Sequence, residues 1–175
     1  GSVGFSAGAR SWALGAGVDT VFASRSGSYQ GTLTSSSSRA KAERLRAQVG
    51  LGDGDHRTLA LAAAIVQAKI EKQVTVLRRF GRPELRRETA EDVAAMRAHA
   101  AQLTGCTSRD EMMGLEGASA AVYFCALGRL FPGELAFETR SRRPPKDVPN
   151  AALSYLYTVL LGEAVTALVA AGLEP

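Results

Sequence analysis

Two kinds of apolar pattern divide the chain, short strand-like runs before residue 34 and long helix-like runs from Arg39 onward. Ser6 can cap a short helix over Ala7 to Leu14, which Gly15 and Gly17 stop. Asp19 to Ala23 then reads as a strand, Ser24-Arg25-Ser26-Gly27 as a turn, and Ser28 to Leu33 as a second strand. One helix and a two-stranded hairpin are too little to stand alone. Residues 1–34 are therefore expected to be the C-terminal part of a small N-terminal β domain, and the serines at 35–38 the linker out of it.

Residues 39–175 read as a helical domain. Helices are expected over Arg39 to Val49 and from about Arg57 to Phe80, stopped by Gly81 and Pro83, with another opened by the capping pair Thr89 and Asp92. Ser108 with Glu111 repeats that signature before Gly114, and the helix holding Glu116 should end near Pro132. A last long helix runs from about Val148 to Ala171, with Asp147 as N-cap, Pro149 in its first turn and Gly172 as its stop. The predicted fold is mainly α, preceded by a helix-plus-hairpin tail.

At 175 residues the chain has room for one domain with a real core, or for one domain and a fragment of another. A hydrophobic share of 46% fits a globular helical protein, and 21 Lys+Arg against 17 Asp+Glu permit a nucleic-acid partner without requiring one. Cys106 and Cys125 fit no zinc or redox spacing, so a reduced, cytoplasmic chain is expected. No secretory signal is visible, and the opening Gly1-Ser2 without Met suggests a cloning scar or a piece of something longer.

Candidate chemistry concentrates between residues 115 and 151. At helical spacing Glu116 shares a face with Ala120, Tyr123, Phe124 and Leu127, where a carboxylate is costly unless a divalent cation or an arginine such as Arg140 or Arg142 meets it. Gly114 and Gly117 on either side remove bulk, either for a phosphate or metal to approach or for a second helix to pack. Downstream, Pro144-Pro145 stiffens the segment holding Arg142, Arg143 and Lys146 in an extended form suited to phosphates, although a solvated loop has the same composition. Lys69, Lys72, Arg78, Arg79, Arg82, Arg86 and Arg87 crowd the long middle helix and its exit, as a nucleic-acid face or a solvated one. His56 and His99 have no matching ligand set and read as surface or satisfied histidines.

The order Leu115-Glu116-Gly117, Tyr123-Phe124, Phe137, Arg140, Arg142-Arg143-Pro144-Pro145-Lys146-Asp147 and Asn150-Ala151 resembles the CRISPR-associated integrase that inserts new spacers, the Cas-one family. Weaker matches lie at Gly17 to Phe22, at Ala68-Lys69-Ile70 with Gln73, and at Ala170 to Pro175, so the likeness covers nearly the whole chain. It implies an all-helical metal-dependent nuclease domain, with Glu116 as a catalytic ligand of Mn²⁺ or Mg²⁺ and with Arg142, Arg143, Lys146, Lys69 and Lys72 on DNA. It also implies transesterification between a prespacer duplex and the CRISPR repeat, a homodimer, a small Cas-two partner protein and no membrane. Lys72 departs from the pattern, which usually has Asn before Gln73. The family's histidine and second acid follow the segment ending at Pro175, so this chain is expected to hold one third of the metal site and to be inactive alone.

Two rival classes remain open in the sequence. One is a catalytically silent DNA-binding helical module. The other is a membrane-associated helical protein, because Ala151 to Ala171 is long enough to span and Arg140, Arg142, Arg143 and Lys146 precede it. Against a span stand Glu163, Thr158, Thr166 and many alanines, and a buried core helix would explain the same apolarity.

Overall fold

Ser6 opens the first helix, its hydroxyl accepting from the Ala9 N–H at 3.1 Å, and α1 runs Ala7–Gly15. Gly17, at φ +69°, lets the Val18 N–H reach back to the Ala13 carbonyl and close the helix. The computed structural model describes residues 4–24, 29–34, 39–52, 55–81 and 83–175, so the expected turn over 25–27, the serine linker and Arg82 lie outside the described residues. Strands β1 (Thr20–Ala23) and β2 (Tyr29–Leu33) pair antiparallel from Thr20 with Leu33 to Ala23 with Tyr29, with an irregularity between Phe22 and Ala23. The Phe5 ring meets Phe22 edge-on at 5.7 Å.

Five further helices follow: α2 (Arg39–Val49), α3 (His56–Phe80), α4 (Pro83–Glu88), α5 (Ala90–Gln102) and α6 (Arg109–Gly128), before the final α7 (Val148–Ala170). The protein is thus mainly helical with one small two-stranded sheet. It forms two compact units, residues 1–50 with 152–175, and residues 51–151.

In the first unit α2 is tied to the segment after α7. Arg44 Nε donates to the Gly172 carbonyl at 3.2 Å, and Gln48 exchanges two 3.0 Å hydrogen bonds with the Glu174 backbone. Gly172 itself sits at φ +73°, as the expected helix stop requires, and a side chain there would collide with the Arg44 guanidinium. The reading of α7 as a buried core helix is not met by the described residues. Only 6% of its most apolar stretch is buried, and Tyr155, Leu156, Leu160 and Leu161 are each about 60% exposed. The physical reason is that α7 is apolar on every side, while the described residues bury only Pro149, Asn150 and Val169 along it.

The second unit is built on α3, α5 and α6. Ile70, Gln73, Val74 and Leu77 recur at helical spacing on α3 and face Val93, Met96 and Ala100 of α5 and Met112, Tyr123, Ala126 and Leu127 of α6. Each large aliphatic side chain so buried contributes about 1.5–3 kcal/mol. Asp55 caps α3 through the Arg57 N–H at 2.8 Å, and the Arg57 guanidinium beside it lowers its carboxyl to about 2. The Ser108 hydroxyl caps α6, while Glu111 folds back onto the Thr107 N–H at 2.8 Å, a bond that holds the carboxyl below the usual carboxylate range. The expected Thr89–Asp92 pair does not form. Thr89 makes no side-chain cap bond, and the Asp92 carboxylate is instead taken by Arg129 at 2.6 Å from the C-terminal end of α6.

Candidate active site

Glu116 lies on α6 at the margin of the buried stripe that runs through Met112, Ser119 and Tyr123. Its side chain is 32% exposed, so the desolvation cost of a fully apolar face is largely avoided. Lys69 on α3 borders the buried Ile70 and Gln73 in the same way, and the packing of α3 on α6 brings its ammonium onto Glu116 Oε1. The side chain that meets Glu116 is therefore neither Arg140 nor Arg142, the arginines that the sequence offered as the alternative to a metal. Sequence separation hid the pair: its members are 47 positions apart, and Lys69 stood out only as part of a basic helix.

Gly114 and Gly117 are exposed, and a Cβ added at either would meet nothing within 4 Å. Among the described residues no second helix packs against them, and the space beside Glu116 is open there. Lys72, three residues beyond Lys69 on α3, is exposed and has no hydrogen-bond or ion-pair partner among the described residues. Ser119 is fully buried one turn from Glu116, and neither its hydroxyl nor His99 Nδ1 finds a partner among the described residues.

A carboxylate beside open space suits a hard divalent cation such as Mn²⁺ or Mg²⁺ as one ligand. Among the described residues no group of three or more His, Cys, Asp or Glu side chains could hold a metal ion. Glu116 could supply one carboxylate to such an ion.

The basic loop is positioned from the end of α6. Phe137 is buried against Phe124 and Phe131, with ring centroids 6.3 and 5.6 Å away, and its carbonyl oxygen lies where a Cβ on Gly128 would stand, 2.6 Å off. From this anchor the chain passes Arg140 and Ser141 and exposes Arg142, Arg143 and Lys146 before α7 begins. Among the described residues the charged groups of these three have no hydrogen-bond or ion-pair partner. Arg140 is different: it is half-buried and donates to Asn150 Oδ1 at 2.9 Å and to the Ser141 carbonyl. Asn150, fully buried in the first turn of α7, stood out in the sequence only as part of the motif Asn150-Ala151, and its structural role was not read from it; its place at the start of a long apolar helix was the available signal.

Comparisons with known proteins agree with this architecture. The family model described as CRISPR associated protein Cas1 matches residues 1–175. The chain is 37% identical over 159 residues to CRISPR-associated endonuclease Cas1 3 of Thermus thermophilus, covering 91% of this chain and 45% of that protein. A chain of the solved Cas6-RT-Cas1--Cas2 complex superposes with a TM-score of 0.73 at 28% identity, over 97% of this chain and 18% of that one. A casposase bound to integration product shares the fold, with a TM-score of 0.67 at 22% identity over 96% of this chain and 49% of the other. The chain spans less than half the length of the first curated relatives it matches. Matched along its whole length by the family model, the chain belongs to the CRISPR-associated protein Cas1 family.

Proposed function

We propose that the longer protein containing this segment is a spacer-acquisition integrase and endonuclease, joining or cutting DNA by metal-dependent transesterification. The observation that carries the reading is the Glu116 carboxylate at the α3–α6 margin, open beside Gly114 and Gly117 and neutralised by one flexible lysine. In the reaction the 3′-hydroxyl of a prespacer end attacks a phosphodiester of the CRISPR repeat, one P–O bond forming as another breaks. With water as nucleophile the same exchange cuts the strand.

Glu116 supplies a hard carboxylate oxygen, and the resemblance to the family implies a histidine and a second acid as its fellow ligands, neither assigned to a residue of this chain. Bound there, Mn²⁺ or Mg²⁺ would stabilise charge building on the scissile phosphate oxygens. Lys69 keeps Glu116 compensated before the metal arrives and has the reach to turn to a phosphate afterwards. Lys72, one turn along, adds a second phosphate contact, and Arg142, Arg143 and Lys146 hold the duplex backbone without reading its sequence.

The partners proposed are prespacer and repeat DNA, a second copy of the protein, and a small Cas2 subunit, the last supported by the Cas1–Cas2 composition of a structural neighbour. The proposed location is the cytoplasm. Glu163 within α7 and the resemblance to endonucleases favour packing of that helix inside the larger assembly over insertion in a bilayer.

The test is product analysis with the full-length protein, a duplex bearing 3′-hydroxyl ends and a repeat-containing plasmid in Mn²⁺. Covalent joining that requires both the 3′-hydroxyl and the metal supports the reading. Binding without any joined or cut product would leave the silent DNA-binding module in its place.

A further inference from the structure

We propose that Asn150 is a positioning residue for nucleic-acid binding, a buried amide that staples together the two arms of the loop carrying Arg142, Arg143 and Lys146. The proposal rests on the reading of that loop as a DNA contact. Asn150 has no exposed surface, and its head group uses all four of its hydrogen-bonding positions. Oδ1 accepts from Arg140 Nη1 and from the Ser141 N–H, both at 2.9 Å, on the incoming arm. Nδ2 donates to the Thr139 carbonyl at 2.9 Å on the same arm and to Asp147 Oδ2 at 2.6 Å on the outgoing one. Two donors face the oxygen and two acceptors face the nitrogen, so the network fixes which way the amide points.

The same residue is tied into α7. Its own N–H donates to Asp147 Oδ1 at 2.7 Å, so one aspartate caps the helix with one oxygen and holds the staple with the other. A second closure lies outside the first: the Ser141 hydroxyl accepts from the Lys146 N–H at 3.0 Å. The Ser141–Lys146 closure brackets Arg142 and Arg143, and these two and Lys146 are exposed. Arg140 serves the staple, which explains why one arginine of this segment is half-buried while its neighbours are exposed. Only an amide has two donors and two acceptors on one short planar head; a carboxylate of the same shape would face Asp147 and the Thr139 carbonyl with acceptors.

The experiment measures duplex binding against salt for full-length protein carrying Asn150→Asp, Arg142→Ala/Arg143→Ala, or all three changes. Helical circular dichroism and melting temperature check each fold. Asn150→Asp is expected to weaken binding about tenfold at fixed salt and to lower the slope of log K against log salt by roughly one for each phosphate no longer held. Combined with the arginine changes, it should add little, because both act through one loop. Trypsin should also nick the Arg142–Arg143 bond faster in the Asn150→Asp protein. Should that variant fail to fold, Ser141→Ala, which opens only the outer closure at a half-exposed position, is expected to give the same lowered slope and faster nicking.

A full slope in a folded Asn150→Asp protein, or deficits that simply add to those of the arginine changes, would overturn the staple while leaving the loop as a DNA contact. An unchanged slope in Arg142→Ala/Arg143→Ala would overturn both.

Discussion

Replacing Lys69 by Met in the full-length protein keeps the aliphatic stem along α3 and removes the ammonium that sits on Glu116. The two side chains are 43% and 32% exposed, so water and salt screen the pair and its share of folding stability is small, about 0.5 kcal/mol. The melting temperature should move by no more than about 4 °C. Metal binding responds differently, because the lysine and a divalent cation compete for one carboxylate. Releasing an ion pair worth about 0.5–1 kcal/mol raises affinity roughly two- to fivefold. Mn²⁺ titration followed by the electron paramagnetic resonance of the free ion measures this directly, with Glu116→Gln as the comparison that removes the ligand. Strand transfer should fall in the Lys69→Met protein even as its Mn²⁺ affinity rises. Unchanged or weaker Mn²⁺ binding in that variant, with Glu116→Gln still abolishing the site, would refute the competition and leave the pair as a structural bridge between α3 and α6.

Three further outcomes follow from other parts of the chain. Arg142→Ala/Arg143→Ala should weaken duplex binding equally for all sequences and lower the salt slope by about one per phosphate released, read by fluorescence anisotropy at several salt concentrations. Asp55 has a folded-state carboxyl near 2, below its ordinary value of 3.8, so its support of α3 is complete above the ordinary value and is lost as pH falls through about 2. Acid unfolding of an Asp55→Asn variant should accordingly show a shallower loss of stability below pH 4. The isolated 175-residue chain should neither integrate nor cleave DNA with any divalent metal, and should bind hydrophobic dyes through exposed Tyr155, Leu156, Leu160 and Leu161. Robust Mn²⁺-dependent cleavage that a Glu116→Ala control abolishes would contradict that expectation.

Local chemistry made most elements legible. Ser6, Ser108 and Gly172 act where their types suggest, because caps and left-handed stops are decided within a few residues of sequence. Asp92 shows where such reasoning ends: its spacing from Thr89 suits a cap, yet Arg129, distant in sequence, offers a charged partner that only the packing of α5 on α6 brings near. The same holds at the site. The position of Glu116 on α6 follows from helical periodicity, whereas its pairing with Lys69 depends on the register of α3 against α6, which no local pattern encodes. The structural role of Asn150 was hidden for a related reason. Its four partners are drawn from both arms of an irregular loop, and irregular backbone has no period to read. The apolarity of α7 was plain in the sequence, but a helix apolar on every side does not say what covers it.

The central claim is that Glu116 belongs to the chemistry and not to the fold. Glu116→Gln in the full-length protein keeps the shape of the side chain and removes the charge a cation needs, so one preparation should be assayed for both strand transfer in Mn²⁺ and melting temperature. The account predicts a fall in strand transfer by orders of magnitude with the melting temperature held to within a few degrees. A variant that melts well below the parent, yet retains normal activity per folded molecule, would contradict it and make the Lys69–Glu116 pair a structural bridge alone.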